Sequence, residues 1–278
     1  MDLNNKNMKE KFDYGEILFL GKCNNKCYYC LGNEMPKAKL VSNLNTPYQE
    51  LKNLDLFINR LKDAGTDTVY LSSVITEPML YKDINNLCDY LISNGFKVGI
   101  RTNGIDKGVI GLIPKLEAEI SISINSLVPC INKKICGNEN VPDIEGIFKC
   151  LSENNKKCRI SIVVNKYNHD DLFFSLKYFQ MFDCISYIQL RKRYMYGDNK
   201  DLLYLEDIDS FERIKNFLNR KYDYSNRNNF HESIIYNSHV PISLWEDVFK
   251  KESLSTLNYF SDGKISSHNL LIPSYEKE

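Results

Sequence analysis

Three cysteines fall within eight residues, in the run Cys23-Asn-Asn-Lys-Cys27-Tyr-Tyr-Cys30. Clustered thiols in a chain without a disulfide framework are read first as metal ligands. Four thiolates close the coordination of an iron–sulfur cluster, whereas three leave one iron open to a small molecule. A simple electron-transfer cluster would need a fourth cysteine at matching spacing, which is absent. A structural zinc ion is the competing reading. It needs a fourth ligand, usually from a second paired motif. No second Cys-x-x-Cys exists, and His169, His231, His239 and His268 are all distant in sequence.

The composition sets the context for this cluster. The 278 residues carry 36 basic and 36 acidic side chains, so overall charge draws the chain neither to nucleic acid nor to an anionic membrane. No apolar run approaches the ~20 residues that span a bilayer. The first eleven residues are polar and Asn/Lys-rich, unlike a signal peptide, and a cytoplasmic location is expected. With nine cysteines, an odd number, disulfides are not expected. Cys88, Cys130, Cys136, Cys150, Cys158 and Cys184 read mostly as small buried hydrophobes, with Cys130-x5-Cys136 as a minor candidate for binding.

The elements that would position the cluster alternate in type. Apolar runs at 17–20, 68–72, 97–101, 120–124, 159–164 and 186–190 read as strands. Helical periodicity runs over 48–64, 83–93, 144–153 and 172–182, with Gly65 and Asn94-Gly95 as stops. Strand-then-helix units imply parallel strands joined by right-handed crossovers. Six units are too few for a full eight-fold barrel, so the expected fold is α/β, a partial (β/α)6 barrel. Its site should lie at the C-terminal ends of the strands, which is where the cysteine run falls. From about Asp201 the pattern changes to a helix over 206–220, a polar loop over 221–229, and a hairpin over 257–271 turning at Asp262-Gly263. The expected division is a flexible segment 1–14, a core 15–200, and a C-terminal α+β extension 201–278 covering the substrate side or the barrel edge.

The spacing Cys-x-x-x-Cys-x-aromatic-Cys, with Tyr29 at the aromatic position, resembles the signature of the radical S-adenosylmethionine (SAM) superfamily. The resemblance runs from about Gly15 to Arg193. Ser72-Ser-Val-Ile-Thr76-Glu77-Pro78 looks like the family's Gly-Gly-Glu-Pro motif, which reads the methionine amino group; Glu77 is kept, while Ile75 and Thr76 replace the glycines. A carboxylate suits an ammonium through a charge-assisted hydrogen bond. Arg101-Thr102-Asn103-Gly104 is similar to a Thr-Asn-Gly run common in the family. Ser123 and Asn165, on the fourth and fifth strands, match positions that contact the cofactor's carboxylate or ribose. Arg191, at the mouth of the sixth strand, could bind a carboxylate; Arg193 reads rather as part of an exposed charge cluster.

The resemblance implies a [4Fe–4S] cluster on Cys23, Cys27 and Cys30, with SAM as second cofactor. Tyr29, Thr76, Glu77, Thr102, Ser123, Asn165 and Arg191 are the candidate SAM contacts. It implies an electron from a small redox protein such as flavodoxin or ferredoxin. It also implies hydrogen abstraction from a substrate by a 5′-deoxyadenosyl radical. No cysteine follows Cys184, so the cysteine-rich extension of many peptide-modifying relatives is missing. A small-molecule substrate is therefore expected. Within the family the chain looks most like small lyase-type members such as the queuine lyases, which would cleave a C–N bond to release 7-aminomethyl-7-deazaguanine. Glu34, Asn125 and Asp262 are candidates for the purine-like edge. Peptide-modifying or glycyl-radical-activating chemistry is the enzymatic alternative, and a zinc-binding module the non-enzymatic one.

Overall fold

The computed structural model describes residues 10–34, 42–73, 75–195, 201–227, 233–246 and 255–267. Six parallel strands form its centre in sequence order: β1 (Tyr14–Phe19), β2 (Thr68–Ser73), β3 (Lys97–Thr102), β4 (Ile120–Ser123), β5 (Cys158–Val163) and β6 (Ile185–Arg191). The helices between them are α1 (Leu54–Ala64), α2 (Ile84–Ser93), α3 (Gly108–Leu112), α4 (Pro129–Cys136), α5 (Ile144–Glu153) and α6 (His169–Phe179). The sheet is open, and the fold is the expected partial (β/α)6 barrel. Among the described residues no helix is long and apolar enough to cross a membrane.

The tail joins this sheet at both edges. After α7 (Leu202–Lys221) come β7 (Tyr224–Arg227), β8 (Ser233–Tyr236), β9 (Ile242–Trp245), β10 (Thr256–Phe260) and β11 (Ile265–Ser266). The sheet order is β11-β10-β1-β2-β3-β4-β5-β6-β9-β8-β7. β9 pairs parallel with β6 and β10 pairs parallel with β1, so both edges of the six-strand core are covered. Covering exposed strand edges removes unpaired backbone groups that would otherwise recruit other chains.

Period-2 alternation divides the two faces. On β6, Ile188 and Leu190 enter the apolar core, while Tyr187, Gln189 and Arg191 take the opposite parity. On α1, Leu54, Phe57, Ile58 and Leu61 form one buried stripe against the sheet. Gly15 is where this helix comes nearest to β1. A Cβ there would lie 2.5 Å from Leu61 Cδ1 and 2.8 Å from Phe57 Cζ.

Three expectations change. The helix expected over 48–64 is a 3-10 turn at Tyr48–Glu50 followed by α1, separated by Asn53 with φ 60°. Asparagine tolerates this left-handed geometry, and Asn53 Nδ2 donates to Gly263 O at 2.9 Å. The polar loop expected over 221–229 contains β7, which β8 pairs antiparallel. Its polarity belongs to an edge strand. The expected strand-and-helix alternation passes over α3 and α4, which are short. The hairpin turns at Asp262-Gly263 as β10–β11, with Gly263 at φ 100°; residues 268–271 of the expected range lie outside the described residues.

Replacing Gly15 with valine should overpack this contact and lower unfolding stability by about 1–3 kcal/mol. Urea denaturation checks this; an unchanged midpoint would show that α1 can move away from β1.

Candidate active site

The cysteine run leaves the C-terminal end of β1 and is held from several sides. Lys26 N donates to Cys136 O (2.8 Å) and Tyr28 N to Ile135 O (3.1 Å), which fixes the run to the end of α4. Asn138 Nδ2 donates to Asn24 O and Asn25 Oδ1, and Asn103 Nδ2 donates to Asn24 Oδ1 at 2.7 Å. Thr76 Oγ1 donates to Lys22 O at 2.8 Å. Tyr28 OH donates to Asp207 Oδ1, also at 2.8 Å. That carboxylate is fully buried and comes from α7 in the tail.

The three thiols are half-buried and within electrostatic reach of each other. Burial raises Cys23 to about 11 and also raises Cys30. Cys27 is raised first by its hydrogen bond to Cys136 and then by burial. Such thiols stay protonated until a cation supplies the missing positive charge, which is how a metal centre turns thiols into thiolate ligands. The donor set therefore fits an iron–sulfur cluster. Among the described residues no three His, Cys, Asp or Glu side chains converge tightly enough to share one metal ion.

Cys136 meets the cysteine run, whereas Cys130, its partner in the candidate Cys130-x5-Cys136 pair, is exposed. Cys27 Sγ lies 3.6 Å from Cys136 Sγ, and Asn125 Nδ2 donates to Cys136 Sγ at 2.9 Å. Tyr29 OH donates to the same Asn125 through its Oδ1. Only the pairing of α4 with the cysteine run brings residue 136 back to residue 27; sequence spacing holds no sign of it. Asp207 did leave a trace. It occupies a core position of α7, on the stripe of Ser210, Phe211, Ile214 and Leu218, and an acid at an apolar position asks for a partner.

Glu77 and Thr102 meet. Thr102 Oγ1 and Met79 N donate to Glu77 Oε1, and Asn103 N donates to Oε2 at 2.8 Å. Glu77 is 3 % exposed, and burial outweighs these three hydrogen bonds, lifting its carboxyl to about 7. The end of β2 and the end of β3 thus form one bracket beside the cysteine run.

The other candidates are dispersed. Ser123 is exposed at the end of β4. Asn165 is fully buried and spent on its own loop, with Nδ2 donating to Val163 O and Oδ1 accepting from Tyr167 N. Thr76 braces the cysteine run. Arg191 lies on the inner sheet face with Arg159, Arg101 and Glu119 as its charged neighbours. Arg193 is not an exposed charge. It is buried and pairs with Asp207 at 2.8 Å, because α7 closes over it. Asn125 and Asp262 do not gather: Asn125 is held by Tyr29 and Cys136, and Asp262 sits in the β10–β11 turn; the side chain of Glu34 lies outside the described part of the structure.

A family model described as the Radical SAM superfamily matches residues 17–178. The chain belongs to the radical SAM superfamily. Its cofactors are accordingly a [4Fe–4S] cluster and SAM. It is 27 % identical over 168 residues to the GTP 3′,8-cyclase of Vibrio parahaemolyticus, covering 58 % of this chain and 49 % of that protein. It is 28 % identical over 167 residues to human Molybdenum cofactor biosynthesis protein 1, covering 57 % of this chain and 25 % of that protein. The chain thus spans half or less of the length of these relatives. The crystal structure of Streptococcus suis SuiB bound to S-adenosylmethionine is similar in fold, with TM-score 0.59 and 18 % identity over 92 % of this chain and 58 % of that one.

Two outcomes are expected. Cys23→Ala, Cys27→Ala and Cys30→Ala should each lose the cluster by iron assay and visible absorbance, whereas Cys136→Ala should keep about four irons. In the SAM-free protein, Glu77 has a folded pKa of about 7 against an ordinary 4.5, so the folded state binds the extra proton between them. Its contribution to stability is greatest below the lower value and is lost as pH rises through the upper one, by on the order of 2–3 kcal/mol. Thermal melts from pH 5 to pH 8 should show this decline, reduced in Glu77→Gln.

Proposed function

We propose that Cys23, Cys27 and Cys30 hold the cluster, and that Glu77 with Thr102 and Asn103 holds the methionine end of SAM. The observation that carries this reading is the buried bracket on Glu77, built from two strand ends next to three thiols. When bound, the cluster supplies the electron that splits SAM into methionine and a 5′-deoxyadenosyl radical. The electron would come from a small redox protein such as flavodoxin or ferredoxin.

The chain's own residues do the positioning. The Thr102 hydroxyl and the Asn103 and Met79 amides orient the Glu77 carboxyl. An ammonium arriving beside it favours the ionised form, reversing the effect of burial. Tyr29 is fixed by Asn125 and bears on the cluster loop's conformation. Ser123 is available at the mouth of β4 for the cofactor. Thr76 and Asn165 serve by holding loops. A substrate over the inner face would present one C–H bond to the radical, since reaction follows from positioning.

For the substrate, the cyclase relatives make a purine nucleotide the first molecule to test; by name they act on GTP. The expected C–N cleavage of queuine draws no support from these relatives or from the placement of Asn125 and Asp262. A peptide remains a second reading, because SuiB is also known bound to its precursor peptide SuiA.

Anaerobically reconstituted protein should be brown and release 5′-deoxyadenosine from SAM under dithionite. Glu77→Ala should raise KM for SAM about 10–100-fold, the loss expected for a hydrogen bond to a charged group. A colourless protein holding one zinc would sink the proposal. Deuterium transfer into 5′-deoxyadenosine from labelled GTP, queuine or peptide separates the substrates.

A further inference from the structure

The inner sheet face carries three arginines, and two have acidic partners. Arg101 Nη1 meets Glu16 Oε1 at 2.5 Å, and Arg159 Nη2 meets Glu119 Oε1 at 3.2 Å. Arg191 has no acidic partner among the described residues. Its Nε donates to Gln189 Oε1 at 2.8 Å, and its guanidinium lies 5.3 Å from the Trp245 ring centroid. Burial and the charges of Arg159 and Arg101 press its pKa down to about 9. A partly buried cation with no ion-pair partner is costly, and proteins seldom keep one without a use; the nearby Glu119 is paired with Arg159.

Gln189 is the second half of the observation. It is 0 % exposed, and its Oε1 also accepts from Ser161 Oγ at 3.3 Å. The Arg191 Nε–H, which can only donate, fixes the amide orientation, since a flipped amide would set its NH2 against it. Gln189 Nε2 is thereby left buried with no partner. Buried donors without partners are rare. Arg191 and Gln189 share a strand face two residues apart, and the unpaired Gln189 atom is a donor, as are all the polar atoms of the Arg191 side chain. Trp245, beside Arg191 in the β6–β9 register, is anchored by Nε1 donating to Ser243 Oγ at 2.8 Å.

We propose that Arg191 and Gln189 form an anion subsite on the inner face of the barrel, which holds a carboxylate or phosphate of the substrate. That the anion belongs to the substrate rests on the radical SAM reading above; the subsite itself rests on the charge balance and the orphan amide. The titratable groups around Arg191 are Arg159, Arg101, Glu119 and the neutral Tyr187, all of the sheet interior, and none belongs to the cysteine run or the Glu77 bracket. The subsite is therefore distinct from the residues placed around SAM. It favours an anionic substrate over a neutral or cationic base.

Trp245 is the only tryptophan of the chain and reports on the subsite directly. The reconstituted holoenzyme is titrated anaerobically with pyrophosphate and, separately, with glutarate, following tryptophan emission. A saturable change with pyrophosphate assigns a phosphate site, and one with glutarate a carboxylate site; either supports the proposal when Arg191→Gln and Gln189→Leu each weaken it about 10–100-fold. Without anion, Arg191→Gln should melt above wild type, because it removes an unbalanced charge. Added anion should raise the wild-type melting temperature and leave that of Arg191→Gln unmoved. No saturable response to either anion overturns the proposal, whatever the melting temperatures. So does an Arg191→Gln variant that loses SAM affinity yet keeps the anion response. Failure of wild type to form 5′-deoxyadenosine would instead reject the radical SAM assignment of function and leave the anion result standing.

Discussion

The Asp207 carboxylate ties together parts of the chain that share no local contact. It accepts from Tyr28 OH in the cysteine run, from Lys166 N after β5, and from Arg193 Nη1 after β6. The Arg193 guanidinium in turn lies over the Tyr28 ring, 5.1 Å from its centroid. A buried carboxylate needs this many donors to offset its lost hydration. Meeting that need fixes where the loop carrying Cys27 can sit. The tail helix is thus part of what shapes the mouth of the barrel, although it follows the six core strands in sequence.

The rest of the site follows from the two-faced nature of the parallel strands. One parity packs apolar side chains against the helices. The other turns Glu16, Arg101, Arg159 and Gln189 toward the interior, where each polar atom must be paired or reserved for a ligand. Pairing is extensive: Arg159 reaches Ser121, Tyr187 and Glu119, and Arg101 lies between the rings of Tyr14 and Tyr70 while meeting Glu16. Against this background the open valences at Gln189 and Arg191 stand out because they lie two residues apart on one strand; Arg101 Nε is also buried without a partner, but its guanidinium keeps the Glu16 ion pair. At the strand ends the same logic shapes the Glu77 bracket: a carboxyl enclosed by backbone amides and a threonine hydroxyl is oriented before any cofactor arrives.

Legibility in the sequence tracked the range of the interaction. The six core strands, the helical stripes and the cysteine spacing could be read directly, since each repeats or clusters within a few residues. Glu77 and Thr102 were recognisable one by one from short motifs, but their hydrogen bond spans 25 residues and depends on β2 pairing with β3. Local sequence makes Arg193 look exposed, because its partner Asp207 lies on a later helix. Cys136 is buried as its apolar setting predicts, but its nearness to Cys27 is created by two backbone hydrogen bonds from the cysteine run to α4, which spacing does not show.

The sequence by itself determined the chemistry available: three thiols in one short run, a carboxylate and a threonine at strand ends, and a parallel α/β core to carry them. Those properties are written in residue type and spacing, which local physics converts into strands, helices and turns. Tertiary structure alone decided which of these groups meet. Strand register set Gln189 beside Arg191, α4 returned Cys136 to Cys27, and α7 delivered Asp207 to the cysteine run. The physical reason is that charge balance and hydrogen-bond satisfaction in a buried interior are settled between segments far apart in the chain. A linear pattern shows which donors and acceptors exist, and packing determines which remain unpartnered.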